Sequence, residues 1–195
     1  MNGKTAPLVF LDVETTGLDP TIHRAWEVGF IRRMPHGDEE YREFIAYFDL
    51  QYDTAEPRAL EIGRFAERYA FERAITEREF VHRAMLLGWF SGAIIIGANP
   101  WFDASNVGPS ASFLGAMFTR ILPRGTRLPW DYHLLDVTSY AAGAIGAEPP
   151  YGLDDLLLAY GINPPAAERH TALGDARIER TLYDAARILR RSRAS

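Results

Sequence analysis

The 195-residue sequence predicts an α/β fold: a central mixed sheet of five strands, its first three a meander, flanked by helices. Three observations lead there. Three strand-like runs with short connections come first, two isolated strand-like runs then alternate with helical pattern, and a long amphipathic segment closes the chain. Strands joined by short links pair antiparallel, whereas strands separated by helices pair parallel, so one sheet holds both orientations. No repeat, low-complexity stretch or linker divides the sequence, and residues 1–195 read as a single domain large enough for a sizeable core.

The elements follow in order. Leu8 to Val13 is an apolar run broken only by Asp12, as expected of a central strand covered on both faces. Thr15-Thr16-Gly17-Leu18-Asp19-Pro20 reads as a turn. Ala25 to Arg32 and Phe44 to Leu50 read as the second and third strands, linked through Pro35-His36-Gly37-Asp38. A helical region is expected from Pro57 to Gly92, where Phe80, Ala84, Leu87 and Phe90 or Ser91 recur at helical spacing. Ile94-Ile95-Ile96 is a short β-branched strand, helical pattern returns from Ser110 to Ile121, and His133 to Val137 supplies the fifth strand. Leu153 to Tyr160 reads as a short helix stopped by Gly161 and Pro164-Pro165. From Thr171 to Arg191 a long helix carries Ile178, Leu182, Ala185 or Ala186, and Leu189 on one face.

Composition narrows the class. Apolar residues make up 47% and charged residues 24%, the balance of an ordinary globular protein, and no stretch approaches a membrane span. Met1 to Pro7 is short and mostly polar, which predicts no secretory leader. The absence of cysteine excludes disulfide scaffolds and thiolate zinc sites and fits a cytoplasmic location. A net charge of −5 argues at first against a nucleic-acid partner, but the excess nearly vanishes once four of the acids are counted as metal ligands.

Four acids stand where packing alone would favour other residues. Side chains alternate along a strand, so Asp12 and Glu14 share a face; their Cα atoms are expected about 6.5–7 Å apart. Two carboxylates at that separation can converge on a pair of cations, and unpaired buried carboxylates are otherwise costly. Asp103 follows the Ile94–Ile96 strand at its carboxyl end, where α/β sheets place ligands, although a helix N-cap explains it equally well in isolation. Asp175 lies seven residues before Leu182, within about 20° of it around a helix, and so falls on the apolar stripe. His170 stands five residues before Asp175 at the mouth of that helix. Such a histidine is more often structural, yet imidazole titrates near neutrality and suits a general base.

Taken together, these residues resemble a known family. Phe10-Leu11-Asp12-Val13-Glu14-Thr15-Thr16-Gly17-Leu18 resembles the first motif of the DEDDh exonucleases of the ribonuclease H-like superfamily. Asn99 to Asp103 resembles their second motif, an Asn shortly before Phe-Asp, and His170-Thr171-Ala172-Leu173-Gly174-Asp175-Ala176 resembles their third. Trp26-Glu27-Val28-Gly29 is similar to their second strand; Pro100-Trp101 is bulkier than that family's pattern. The resemblance implies that Asp12, Glu14, Asp103 and Asp175 hold two Mg²⁺ or Mn²⁺ ions, with Asp12 shared between them, and that His170 takes the proton from the attacking water. It further implies that Thr15, Thr16, Leu18, Asn99 and Phe102 meet the substrate. Phe65, Trp101 or Phe102 are candidates for stacking on a base, though each serves core packing as readily.

The implied activity is removal of nucleoside 5′-monophosphates from a 3′ end, with single-stranded DNA favoured over RNA and a polymerase or replication partner in view. RNA trimming by the same chemistry and a non-catalytic nucleic-acid- or polymerase-binding module are the alternatives. No phosphate-binding G-x-x-x-x-G-K-[ST] loop, H-E-x-x-H or G-x-S-x-G string competes with the reading. Arg187, Arg190, Arg191 and Arg193 read as complementing the last helix's C-terminus rather than gripping phosphate. The residues leave the oligomeric state open.

Overall fold

The computed structural model describes residues 5–45, 54–105 and 111–194. Its sheet has five strands: β1 (Leu8–Thr15), β2 (Ala25–Arg33), β3 (Glu39–Ile45), β4 (Ile94–Gly97) and β5 (Leu134–Asp136), in the order β3-β2-β1-β4-β5. β1 pairs antiparallel with β2 and β2 with β3, completing the expected meander, while β4 runs parallel to both β1 and β5. β1 is central, which explains its apolar composition: a strand with neighbours on both sides and layers on both faces has little contact with water.

The two faces of β1 feed two cores. Val9, Leu11 and Val13 join Phe30, Phe80, Phe90, Phe118 and Trp130 on one side. Phe10, with Ile31 and Ile96 from neighbouring strands, packs on the other against Ile178, Leu182 and Ala186 of the last helix, α8 (Ala172–Ala194). Alternation along β1 therefore directs Asp12 and Glu14 to the α8 side. There Asp12 is paired with Gly29 and Glu14 with Glu27, and the β1–β2 register shifts just beyond, between Glu14 and Thr15. Such irregularities are common beside functional sites.

Several boundaries differ from the sequence reading. β3 begins at Glu39, not Phe44, and the predicted continuation from Ala46 to Leu50 lies outside the described residues. Its charged composition suits an edge strand; Arg33 Nε donates to Glu39 Oε1 at 2.7 Å and Arg180 of α8 to Glu39 Oε2 at 2.9 Å. The predicted helical region is broken into α1 (Pro57–Ile62), α2 (Phe65–Arg68), a 3-10 turn at Phe71–Arg73 and α3 (Glu77–Leu87). In α3 the buried residues are Phe80, Val81 and Ala84, whereas Leu87 is 57% exposed. Gly88, in the left-handed conformation, ends the helix, and Phe90 reaches the core from beyond it.

Ser110 lies outside the described residues, and the helix expected from it is observed as α5 (Phe113–Ile121). The fifth strand is only three residues long because the Asp136 carboxylate accepts the N–H groups of Thr138 (2.8 Å) and Ser139 (3.2 Å). That cap starts α6 (Val137–Ile145), a helix the sequence reading missed. Helices α4 (Pro100–Ala104) and α7 (Leu153–Ala159) complete the set among the described residues. No helix among these residues is long and apolar enough to cross a membrane.

Candidate active site

The N-terminus of α8 is pressed onto the sheet at Gly29. A Cβ on Gly29 would stand 2.1 Å from the Leu173 nitrogen and 2.2 Å from the Ala172 carbonyl carbon, so no side chain fits there. Glu27, buried beside it, accepts the Ala172 N–H at 3.0 Å and is gripped by the Arg68 guanidinium. Thr171 Oγ1 accepts the Gly174 N–H at 3.1 Å, so the helix start is capped from within and from the sheet. These contacts bring Asp175 over Asp12 and Glu14. One carboxylate oxygen from each of the three lies within 4.8 Å of the others.

Asp103 stands beside this triad. It lies in the short helix α4, is 3% exposed, and its Oδ2 is 3.5 Å from where a Cβ would sit on Gly97 at the end of β4. Asn99, not Asp103, occupies the N-cap position of α4, with a left-handed backbone (φ 65°) and no capping bond from its side chain. The alternative reading of Asp103 as a helix cap is thereby answered: it lies inside the helix, facing the acids.

Electrostatics bind the four into one system. Burial raises the Asp12 carboxyl well above the usual range, and the charges of Asp103, Glu179, Glu14 and Asp175 raise it further. Glu14 is pushed up to about 8, by burial first and then by Glu27 and Asp175, with Arg68 and Arg64 opposing. Asp103 is raised by burial and by Glu14. Asp175 is raised by burial, while His170 favours its charged form through its own charge and through the backbone N–H it donates to Asp175 Oδ2 at 2.9 Å. Carboxylates crowded this closely resist ionising together unless a cation joins them. An all-oxygen donor set of this kind fits a hard divalent ion.

His170 is exposed and has a left-handed backbone (φ 56°) on the turn before α8. Arg68 holds its carbonyl at 2.8 Å, and Arg64 holds those of Ala167 and Arg169 at 3.0 and 3.1 Å, so α2 and the residue that precedes it anchor the segment that presents it. Thr15 Oγ1 donates to the Gly17 carbonyl at 2.8 Å and Thr16 Oγ1 accepts the Arg24 N–H at 3.0 Å, so both hydroxyls shape the turn after β1. Leu18 at the tip of that turn is 73% exposed. Of the candidate stacking residues, Phe102 packs on Phe113 at 4.9 Å and Phe65 on Trp26 and Tyr69, while Trp101 stands half exposed beside the site. At the far end of α8, Arg193 donates to the Ala144 carbonyl at 2.6 Å and Arg190 lies over Tyr140: these two arginines serve the fold.

Sequence reasoning missed Glu27, Arg68 and Glu179. Glu27 was visible only as part of a strand motif, and Arg68 carried no signal. Glu179 did carry one: it stands four residues after Asp175, between Ile178 and Leu182, and is therefore a second acid on the apolar side of α8.

No protein-family model matches the chain. It is 24% identical over 183 residues to the PolC-type DNA polymerase III of Thermotoga petrophila, an alignment covering 92% of this chain and 12% of the polymerase. Among solved structures it is similar to E. coli exonuclease I in complex with a dT13 oligonucleotide, with a TM-score of 0.67 and 19% identity over 97% of this chain and 42% of that one. The zinc-bound exonuclease I–single-stranded DNA complex from E. coli gives a TM-score of 0.70 and 20% identity over 95% and 41%. The chain thus spans about two-fifths of exonuclease I and a small part of the polymerase. At these identities the likeness is one of architecture: the mixed five-stranded α/β fold of this chain is the one found in E. coli exonuclease I.

Proposed function

We propose that this chain is a metal-dependent 3′→5′ exonuclease of the DEDDh type, a single domain that releases nucleoside 5′-monophosphates from single-stranded DNA. The observation that carries the reading is the convergence of Asp12, Glu14 and Asp175, with Asp103 buried beside them. Packing gives no reason to gather four acids whose charged forms oppose one another; cation binding does. Mg²⁺ or Mn²⁺ matches the donors, and two such ions, when bound, supply water activation and stabilisation of the leaving 3′ oxygen.

The chain's own residues do the rest. Asp12, Glu14, Asp103 and Asp175 hold the ions. His170, exposed next to Asp175 and anchored through its backbone, accepts the proton of the attacking water and passes it to solvent. The turn of Thr15 and Thr16 meets the terminal nucleotide, and Leu18, left bare to solvent, wedges against the last bases. Asn99 and Phe102 border the strand from the β4–α4 side. The similarity to a DNA polymerase and to an exonuclease that binds oligodeoxythymidylate supports DNA over RNA, and supports a polymerase or replication setting.

The test is incubation with 5′-labelled single-stranded DNA and matched RNA in Mg²⁺, Mn²⁺ or EDTA, beside a His170→Ala control. A ladder shortening from the 3′ end, lost in EDTA and strongly reduced in the variant, is the expected result. The faster substrate assigns DNA or RNA. Inertness toward both polymers with every metal would sink the enzyme reading in favour of a binding module.

A further inference from the structure

Glu179 is 1% exposed, and its Oε1 accepts the Ala98 N–H at 2.6 Å. Its Oε2 is shielded from solvent and has no hydrogen-bond partner among the described residues. A buried carboxylate with an unmatched oxygen costs stability, whereas an apolar residue between Ile178 and Leu182 would pack without that cost. The glutamate must therefore supply something that an apolar side chain does not. Its location indicates what. Ala98 is in the two-residue link between β4 and α4, five residues before Asp103, and Glu179 is one helical turn beyond Asp175 on the same side of α8. A single hydrogen bond therefore fastens the segment bearing one acid to the helix bearing another. Its carboxyl interacts electrostatically with Asp12, Asp103 and Asp175, and with Asp136, which sets it behind the cluster rather than apart from it.

We infer that Glu179 is a positioning residue: it locks the β4–α4 junction to α8 and so fixes Asp103 against Asp12 and Asp175 for metal binding. The inference rests on the metal-dependent reading above. Two variants separate the hydrogen bond from the charge. Glu179→Gln keeps an oxygen acceptor for the Ala98 N–H, and Glu179→Met fills a similar volume without one.

The experiment is Mn²⁺ titration of the full chain followed by thermal unfolding, without substrate, with Asp12→Asn as the control for specific binding. Glu179→Met should raise the midpoint Mn²⁺ concentration about tenfold or more, the usual effect of removing a group that orients metal ligands. Glu179→Gln should stay within about threefold of the wild-type midpoint, because the acceptor remains. An unmoved midpoint in Glu179→Met overturns the inference, and so does an equal loss in both variants, which would assign the role to charge. Should Glu179→Met fail to fold, Glu179→Ala, which also lacks an acceptor, takes its place: a raised midpoint supports the inference and an unmoved one overturns it. Absence of any Mn²⁺ stabilisation in the wild-type protein, or its persistence in Asp12→Asn, overturns the metal reading itself and the inference with it.

Discussion

Gly29 and Leu173 approach so closely that a methyl group on the glycine would lie 2.1 Å from the leucine's backbone nitrogen. This contact sets the height of α8 above the sheet and hence the distance from Asp175 to Asp12, the residue paired with Gly29 across the strands. Gly29→Ala must lift the helix start, since both partners are backbone. We expect a loss of about 1–3 kcal/mol or more, as for overpacked sites, together with weakened Mn²⁺ binding. Urea unfolding and a metal titration of the variant measure the two effects separately.

Asp12→Asn should abolish the proposed nuclease activity yet stabilise the metal-free protein. The substitution removes an ionisable group whose charged form is opposed by burial first and then by four other acids. A gain of about 0.5–2 kcal/mol, the span of ordinary stabilising substitutions, is expected in EDTA. Melting of wild type and variant in EDTA checks it, and a variant less stable than wild type would refute the account of the cluster as mutually repulsive.

Burial of these carboxyls, with their mutual repulsion second, sets a pH dependence. Glu14 titrates near 8 in the folded protein and at an ordinary 4.5 otherwise, and Asp12, Asp103 and Asp175 are raised too. The native state then holds more protons than the unfolded chain across that interval, so stability is full below 4.5 and declines as the pH climbs through about 8. Metal-free melting temperatures should fall between about pH 5 and pH 8, and saturating Mn²⁺ should restore most of the loss at the upper end. A flat or rising profile in EDTA would contradict this.

Arg68→Ala should destabilise the protein by about 3–5 kcal/mol, the usual result of stranding one member of a buried ion pair. Glu27 is 1% exposed and also carries the first N–H of α8, so its loss of a partner is felt at the helix start. Adding Glu27→Gln to Arg68→Ala should recover part of the deficit, since a neutral side chain has less to lose. Denaturant midpoints of the single and double variants decide.

How far the sequence disclosed all this depends on the residue. β1, β2 and β4 were legible because central strands must be apolar, and α8 because its stripe repeats cleanly. The early part of β3 was hidden by its charges: an edge strand carries Glu39 and Glu43, whose partners are Arg33, Arg180 and Arg73 rather than a core. α6 was hidden because Asp136 ends a strand and caps a helix at once, and a three-residue strand leaves no period to read. The gathered acids were legible one by one from their odd positions. Glu27 and Glu179 were not singled out, since their value lies in backbone N–H groups contributed by distant segments, at Ala172 and Ala98.

The carboxylates come from positions 12, 14, 103 and 175, near the start, in the middle and toward the end of the chain. None of these segments can gather the others locally. As the protein emerges from the ribosome, β1 to β4 can pair while the acids on β1 still lack Asp175, and the constellation is finished only when the last helix settles at Gly29. On the proposed reading, a copy that lacks α8 also lacks Asp175 and is a sheet without a blade.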